Sequence, residues 1–226
     1  MVDMKEIFKT FVGRRVFITG HTGFKGSWLA FLLNEIGANV MGFALPPATA
    51  INHFDLLGLD KKIKHVVGDI RDVSLLTNIL NDFQPDFVFH LAAQALVRPS
   101  YEDPVATFST NVQGSVNLLD AVRQCQSVRS LVYITSDKCY ENVEWNWGYR
   151  ENDQLGGRDP YSASKAAAEI VFSSYSRSFF DHRPLLGAAT TRAGNVIGGG
   201  DWALDRIIPD CIRAIEAGEP IRLRNP

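Results

Sequence analysis

The chain has 226 residues, 23 Lys+Arg against 25 Asp+Glu and a net charge of −2 with both signs interspersed, which excludes the basic face of a nucleic-acid binder and the charge runs of a solvating tail. The length accommodates one large domain, or one domain and part of a second. No apolar run approaches the roughly 20 residues that cross a bilayer, and the stretch 1–7 carries charges where a leader peptide needs an apolar core, so no membrane association is expected.

Taken in order, a β-rich run at 15–19 is followed by Gly20, Gly23 and Gly26 and then by apolar residues at helical spacing over 27–33. That order predicts a strand, a tight turn and a helix ending near Gly37. A second strand is predicted at 39–44, running into a loop at 45–49, and a third at 63–67. A helix at 73–83 takes Asp72 as its N-cap. A fourth strand follows at 87–91, a long helix at 104–123 interrupted by Gly114, a fifth strand at 130–135, a helix at 161–180 and a sixth strand at 186–192. Past Arg192 come a loop at 194–201, a helix at 204–217 and a short strand at 220–224. Cys125, Cys139 and Cys211 are far apart and match no metal or redox spacing, so no metal is expected and the cytoplasm is the expected compartment.

Short apolar strands alternating with helices predict an α/β fold, a doubly wound parallel sheet of the Rossmann type covered on both faces. Residues 1–192 form the dinucleotide-binding domain on this reading, and 193–226 the start of a smaller, incomplete C-terminal substrate domain. Ligands of such sheets lie outside the carboxyl ends of the strands. The informative positions are therefore the strand exits: 20–26, Asp69-Ile70, Ala92-Ala93-Gln94, Ser136-Asp137-Lys138 and Gly194-Asn195. Glycines in the first of these let the backbone approach an anion at the helix N-terminus, and a nucleotide pyrophosphate is the natural occupant.

Tyr161 and Lys165 stand at i and i+4 on one face of a helix, within reach of one ligand. A lysine there is expected to lower the tyrosine pKa by its charge, giving a base for an alcohol proton. His21 could reach a ligand or sit idle in the turn. Trp145, Trp147 and Tyr149 could line a sugar pocket or anchor their loop, and Arg98 could contact substrate or pair with Asp103.

Six motifs in consistent order then resemble the extended short-chain dehydrogenase/reductase superfamily of nucleotide-sugar epimerases and dehydratases. They are Thr19-Gly-His-Thr-Gly-Phe-Lys-Gly26, Gly68-Asp-Ile-Arg-Asp72, His90-Leu-Ala-Ala-Gln94, Asn111-Val-Gln-Gly114, Tyr161-Ser-Ala-Ser-Lys165 and Arg192-Ala-Gly-Asn195. The fifth strand exits as Ser136-Asp137-Lys138, where the sugar 4,6-dehydratases place an acid. Lysine after it, with Gly-Asn-Val-Ile-Gly-Gly-Gly-Asp-Trp202, is similar to the dehydratases that act on CDP-glucose.

The resemblance implies NAD as cofactor and a nucleotide sugar, CDP-glucose favoured, as substrate, in cytoplasmic deoxysugar and O-antigen synthesis by a homodimer or higher homo-oligomer. Paired helices at 104–123 and 161–180 would make the contact. It implies cofactor residues Gly20, Thr22, Gly23, Phe24, Lys25, Gly26, Asp69, Ile70, Ala92, Ala93, Gln94, Tyr161 and Lys165, and substrate residues Gln94, Arg98, Ser136 and Asn195. Tyr161 would take the C4 hydroxyl proton, Ser136 hydrogen-bond the C4 oxygen, Asp137 protonate the departing C6 hydroxyl, and Lys138 or a neighbour remove the C5 proton. Lys165 completes the catalytic set. The second strand ends Gly42-Phe-Ala-Leu45, without the acid that holds an NAD ribose or the arginine that holds an NADP phosphate, so the residues alone leave that choice open. A 4-epimerase shares Tyr161 and Lys165 but has no need of Asp137-Lys138, and a non-catalytic dinucleotide sensor typically lacks the Tyr-Lys pair.

Overall fold

The computed structural model describes residues 4–223, and its centre is a sheet of six parallel strands: β1 (Arg15–Thr19), β2 (Asn39–Ala44), β3 (Lys64–Val67), β4 (Phe87–His90), β5 (Ser130–Ile134) and β6 (Gly187–Thr191). Their order is β3-β2-β1-β4-β5-β6. Strand order reverses between β1, paired Ile18 to Gly42, and β4, paired to β1 at Ile18 and Phe89. A ligand crevice opens at that reversal.

Strand β1 shows why these runs are apolar without alternation. Val16 and Ile18 point into a core with Ala30, Leu33, Val40 and Phe54 on one face. Phe17 points into a larger core with Leu76, Leu80, Leu118, Leu131 and Phe172 on the other. All three side chains are fully buried, and a strand covered on both faces has no polar side to show. The first core lies under α2 (Phe24–Glu35) and α3 (His53–Leu56). The second lies under α4 (Val73–Phe83), α7 (Gly114–Gln124) and α8 (Pro160–Tyr175).

Strand bounds shift from expectation by at most a residue at either end, and Asp72 caps α4 by accepting from Leu75 N at 3.0 Å. The helix expected at 104–123 is three pieces: α6 (Pro104–Phe108), a π turn (Ser109–Gln113) and α7. Gly114 opens α7 because a Cβ there would stand 2.5 Å from Ile70 Cγ2. The helix expected at 161–180 likewise ends in a π turn, Ser176–Phe180. Three helices lay outside the expectations: α1 (Met4–Phe11), α3 and α5 (Val97–Glu102). Each is short, or too strongly charged for periodicity to stand out. The C-terminal helix, α9 (Ile207–Ala217), starts three residues later than expected. The expected strand at 220–224 is corrected: 220–223 form no strand, and Arg224, like residues 1–3 of the charged N-terminus, lies outside the described residues.

Candidate active site

The turn after β1 is built by close backbone approach. Gly20 has φ +76°, and a Cβ there would lie 2.7 Å from Ala92 N. At Gly26 a Cβ would lie 2.1 Å from Gly20 O, so two glycines let α2 start directly against the strand exit. Gly23, the N-cap of α2, supplies no side-chain cap, leaving the first helical N–H groups for a ligand.

Over this turn lies a cavity of about 310 Å³ lined by Gly20, Thr22, Gly23, Phe24, Lys25, Gly26, Asp69, Ile70, Ala92 and Ala93, ten residues assigned to the cofactor from sequence. Phe43, Ala44, Leu45, Pro46 and Arg206 also line it. Arg206 escaped the sequence reading. The signal available was a lone cation between the Gly-rich loop and the last helix. Burial and the Arg206 charge hold Lys25 below its ordinary pKa. Two cations beside an uncapped helix N-terminus and a glycine cradle fit a dinucleotide pyrophosphate. Among the described lining residues Asp69 is the only acid, and its carboxylate is held by Arg71 at 2.6 Å.

Tyr161 and Lys165 project from the inner face of α8 and are 9% and 8% exposed. Neither lines the cavity, but Tyr161 feels the charge of Arg206 and Lys165 that of Lys25, and both of these do line it. The expectation that Lys165 depresses the Tyr161 pKa is corrected. Burial pushes the phenol up, and what pulls it down is a hydrogen bond with Ser136 and the charge on Arg206. Lys165 itself is lowered to about 8 by burial and by Lys25, against the raising influence of Glu169 and Cys139. Ser136 Oγ donates to Asp137 Oδ1 at 3.0 Å and accepts from Lys138 N at 3.3 Å, capping the 3-10 turn Asp137–Cys139. Asp137 and Lys138 are exposed at the strand exit. Asp137 borders a second cavity of about 540 Å³ with Tyr140, Tyr149, Glu151 and Arg192.

The remaining candidates divide. Gln94 ties its loop to α6, donating to Leu96 O and to Thr107 Oγ1 of α6 and accepting from Leu96 N, and it is not among the residues lining the groove. Arg98 pairs with Asp205 at 3.2 Å and not with Asp103, which caps α6. Asn195 is exposed on the loop after β6. His21 is fully buried with Nε2 2.7 Å from His65 Nδ1, and its ring occupies the space a side chain at Gly42 would need. It is a packing residue. Tyr140, Tyr149, Trp145 and Trp147 stack in series, and Tyr149 Oη donates to Asn142 Oδ1 while accepting from Val143 N. These contacts anchor the loop, and Tyr140 and Tyr149 also border the second cavity.

A family model described as GDP-mannose 4,6 dehydratase matches residues 17–223. The chain belongs to this family. Within it, the chain is 53% identical over 218 residues to a CDP-glucose 4,6-dehydratase of Salmonella typhimurium, covering 95% of this chain and 61% of that one. It is 30% identical over 215 residues to a dTDP-glucose 4,6-dehydratase of Xanthomonas campestris, covering 90% and 59%. The chain thus spans less than two thirds of the length of these relatives. Among solved structures, a Thermus thermophilus UDP-glucose 4-epimerase in complex with NAD superposes with TM-score 0.79 at 31% identity, over 92% of this chain and 64% of that one. A double mutant of the Streptomyces venezuelae dTDP-glucose 4,6-dehydratase DesIV, with NAD and DAU bound, superposes with TM-score 0.78 at 27% identity over the same shares. A sugar-nucleotide epimerase and a sugar-nucleotide dehydratase thus share this chain's fold.

Proposed function

We propose that the chain is the catalytic part of an NAD-dependent CDP-glucose 4,6-dehydratase that forms CDP-4-keto-6-deoxyglucose with loss of water. One observation carries this reading. Ser136, whose hydroxyl lowers the Tyr161 pKa, stands at the exit of β5, and that exit continues into Asp137 and Lys138, an acid and a potential base that epimerisation does not require. The identity to a CDP-glucose 4,6-dehydratase supports the nucleobase and sugar.

Gly20, Gly23, Gly26 and Lys25 would hold the NAD pyrophosphate, Asp69 and Ile70 the adenine end, Ala92 and Ala93 the middle, and Lys165 the nicotinamide ribose. When bound, NAD supplies a hydride acceptor that returns the hydride within one turnover. Tyr161 takes the proton of the C4 hydroxyl, whose oxygen Ser136 holds by a hydrogen bond. With C4 at the ketone level the C5 proton is acidic, and Lys138 removes it. Asp137 protonates the C6 hydroxyl as it leaves as water, and the proton held by Lys138 goes back to C5 once C6 is reduced. Residues 193–226 begin the substrate lobe, and Asn195 there, with Arg98 of α5 tied to it through Asp205, would contact the nucleotide sugar. The exposed apolar residues Val105, Phe108 and Ile170 support pairing of two copies through the helices at 104–123 and 161–180. No described helix is long and apolar enough to cross a membrane.

The test is incubation with CDP-glucose, scored by the alkaline absorbance and mass of a 4-keto-6-deoxy product. Lys138→Ala is expected to stop water loss while NAD reduction persists. Retained turnover in that variant removes Lys138 from the mechanism, and formation of an epimer without water loss rejects dehydration.

A further inference from the structure

Three site elements converge on one buried carboxylate that the mechanism above does not use. Glu169 lies one helical turn past Lys165 and two past Tyr161 on α8, and it is 4% exposed. Its Oε1 accepts from the Thr135 hydroxyl. Its Oε2 accepts from Thr190 Oγ1 at 3.1 Å and from Arg192 Nη2 at 2.8 Å. Thr135 is the residue before Ser136, and its N–H is itself fixed on Thr191 O at 2.9 Å. Arg192 closes the far side. Its Nη1 donates to Glu151 O at 3.0 Å and its guanidinium stands 4.8 Å from the Tyr140 ring centre.

We infer that Glu169 is a positioning residue: through Thr135 and Arg192 it ties α8, which carries Tyr161 and Lys165, to the exits of β5 and β6, where Ser136 stands. A buried carboxylate with this many partners is far more than the fold needs. An apolar side chain would fill the same space at the α8–β5 contact with no desolvation to offset. What an apolar residue cannot do is hold a serine hydroxyl and a phenol in register or oppose a neighbouring cation.

The charges around the pair show why opposition is needed. Lys165 is faced by Lys25 from α2, by His90 from β4, by Cys139 from the turn after β5 and by Glu169 from its own helix. Burial and Lys25 favour the neutral amine; among these groups Glu169 is the carboxylate that favours the ammonium. Glu169 is in turn faced by Arg192, Thr135, Thr190, Cys139 and Tyr133. Burial pushes its carboxyl up, but the Arg192 and Thr135 hydrogen bonds outweigh burial and keep it ionised.

The inference rests on the dehydratase reading for its catalytic meaning, so its test has a readout that does not need turnover. Lysine carrying ¹³C at Cε reports the titration of each ammonium by NMR, with Lys165 assigned by its loss in Lys165→Met. In Glu169→Gln the Lys165 titration should move down by about one pH unit, and the alkaline limb of kcat/KM should move with it. Glu169→Asp keeps the charge while shortening the reach, so its Lys165 titration should match wild type although kcat falls. Should Glu169→Gln fail to fold because Arg192 is left unpaired, Glu169→Gln/Arg192→Met removes both charges together, and the same downward shift is expected. Loss of thermal stability with the Lys165 titration and pH profile unchanged would make Glu169 a structural residue only and overturn the inference. Wild-type protein that shows the titration but no product from CDP-glucose would instead reject the dehydratase reading.

Discussion

Gly23 and Gly26 are both glycines of one motif, yet the space around them differs. A Cβ at Gly26 meets backbone on two sides, Gly20 O at 2.1 Å and His21 Cα at 2.8 Å, whereas at Gly23 the nearest atom is Gly20 O at 3.4 Å. Backbone cannot swing aside as a side chain can. Gly26→Ala should therefore push α2 off the strand exit, destabilise the protein by about 1–3 kcal/mol as overpacked sites do, and weaken NAD binding at least tenfold. Gly23→Ala, whose φ of −77° suits any residue, should fold with a loss of roughly 0.5 kcal/mol. Paired thermal melts and NAD titrations check this. Equal behaviour of the two variants would mean that the motif acts through flexibility and not through close approach.

At the scale of elements, what could be read from the chain was whatever local chemistry repeats. Strands β1 and β2 fall on the expected residues because β-branched and aromatic runs bounded by glycines admit little else. Ten residues assigned to a cofactor from sequence line one cavity because strand exits in a parallel sheet gather at one edge. Contacts between distant segments left no local trace. Nothing near Arg206 or Glu169 announces that the first enters the groove or that the second meets Arg192. The direction of the Tyr161 shift was missed for the same reason, since burial is a property of the fold and not of the i, i+4 spacing.

The loop after β6 is such a long-range element. Trp28 Nε1 donates to Gly199 O at 2.8 Å, the Trp28 and His53 rings stack at 4.5 Å, and a Cβ at Gly200, where φ is +86°, would lie 2.4 Å from His53 Cδ2. The three glycines at 198–200 thus pass flat over α2 and deliver Arg206 to the groove. Gly200→Ala should lift this strap, so that limited proteolysis cuts within 194–206 several-fold faster while the melting temperature barely moves. Gly199→Ala has open space and should leave the cleavage rate unchanged. Equal cleavage in both variants would show that the strap is not held through the His53 face.

The whole molecule is nearly neutral, but several of its ionisable groups are held in states that water would not give them. His90 is fixed neutral. Thr19 Oγ1 accepts from Leu91 N and Ala92 N, so its proton points to His90 Nδ1 at 2.7 Å and the ring carries its hydrogen on Nε2. Burial, with Lys165 nearby, lowers its pKa from 6.5 to about 3. Burial and His65 lower His21 from 6.5 to about 3 as well. A base whose folded pKa is depressed binds its proton in the unfolded chain first, so between pH 6.5 and 3 the unfolded state holds up to two more protons from these groups. Stability is then full above pH 6.5 and falls on acidification, with a slope approaching about 2.7 kcal/mol per pH unit, since each proton contributes ~1.36. Glu169 and Asp69, whose carboxyl pKa values are depressed, add a loss of the same sign at the acid end. On the alkaline side the shifts oppose one another. Lys165, lowered to about 8, regains stability as pH rises toward 10.5, while Cys139, raised to about 11, loses it above 9. The pH profile of stability should therefore be lopsided, steep below 6, nearly flat from 6.5 to 7.5 and rising by about 1 kcal/mol from there to 9. Denaturant midpoints measured from pH 4.5 to 9 check this. In His90→Gln, which keeps an acceptor for Thr19 but cannot take up the imidazole proton, the acid slope should fall to about half. A wild-type midpoint unchanged between pH 6.5 and 4.5 would mean that the two imidazoles reach solvent before the fold opens.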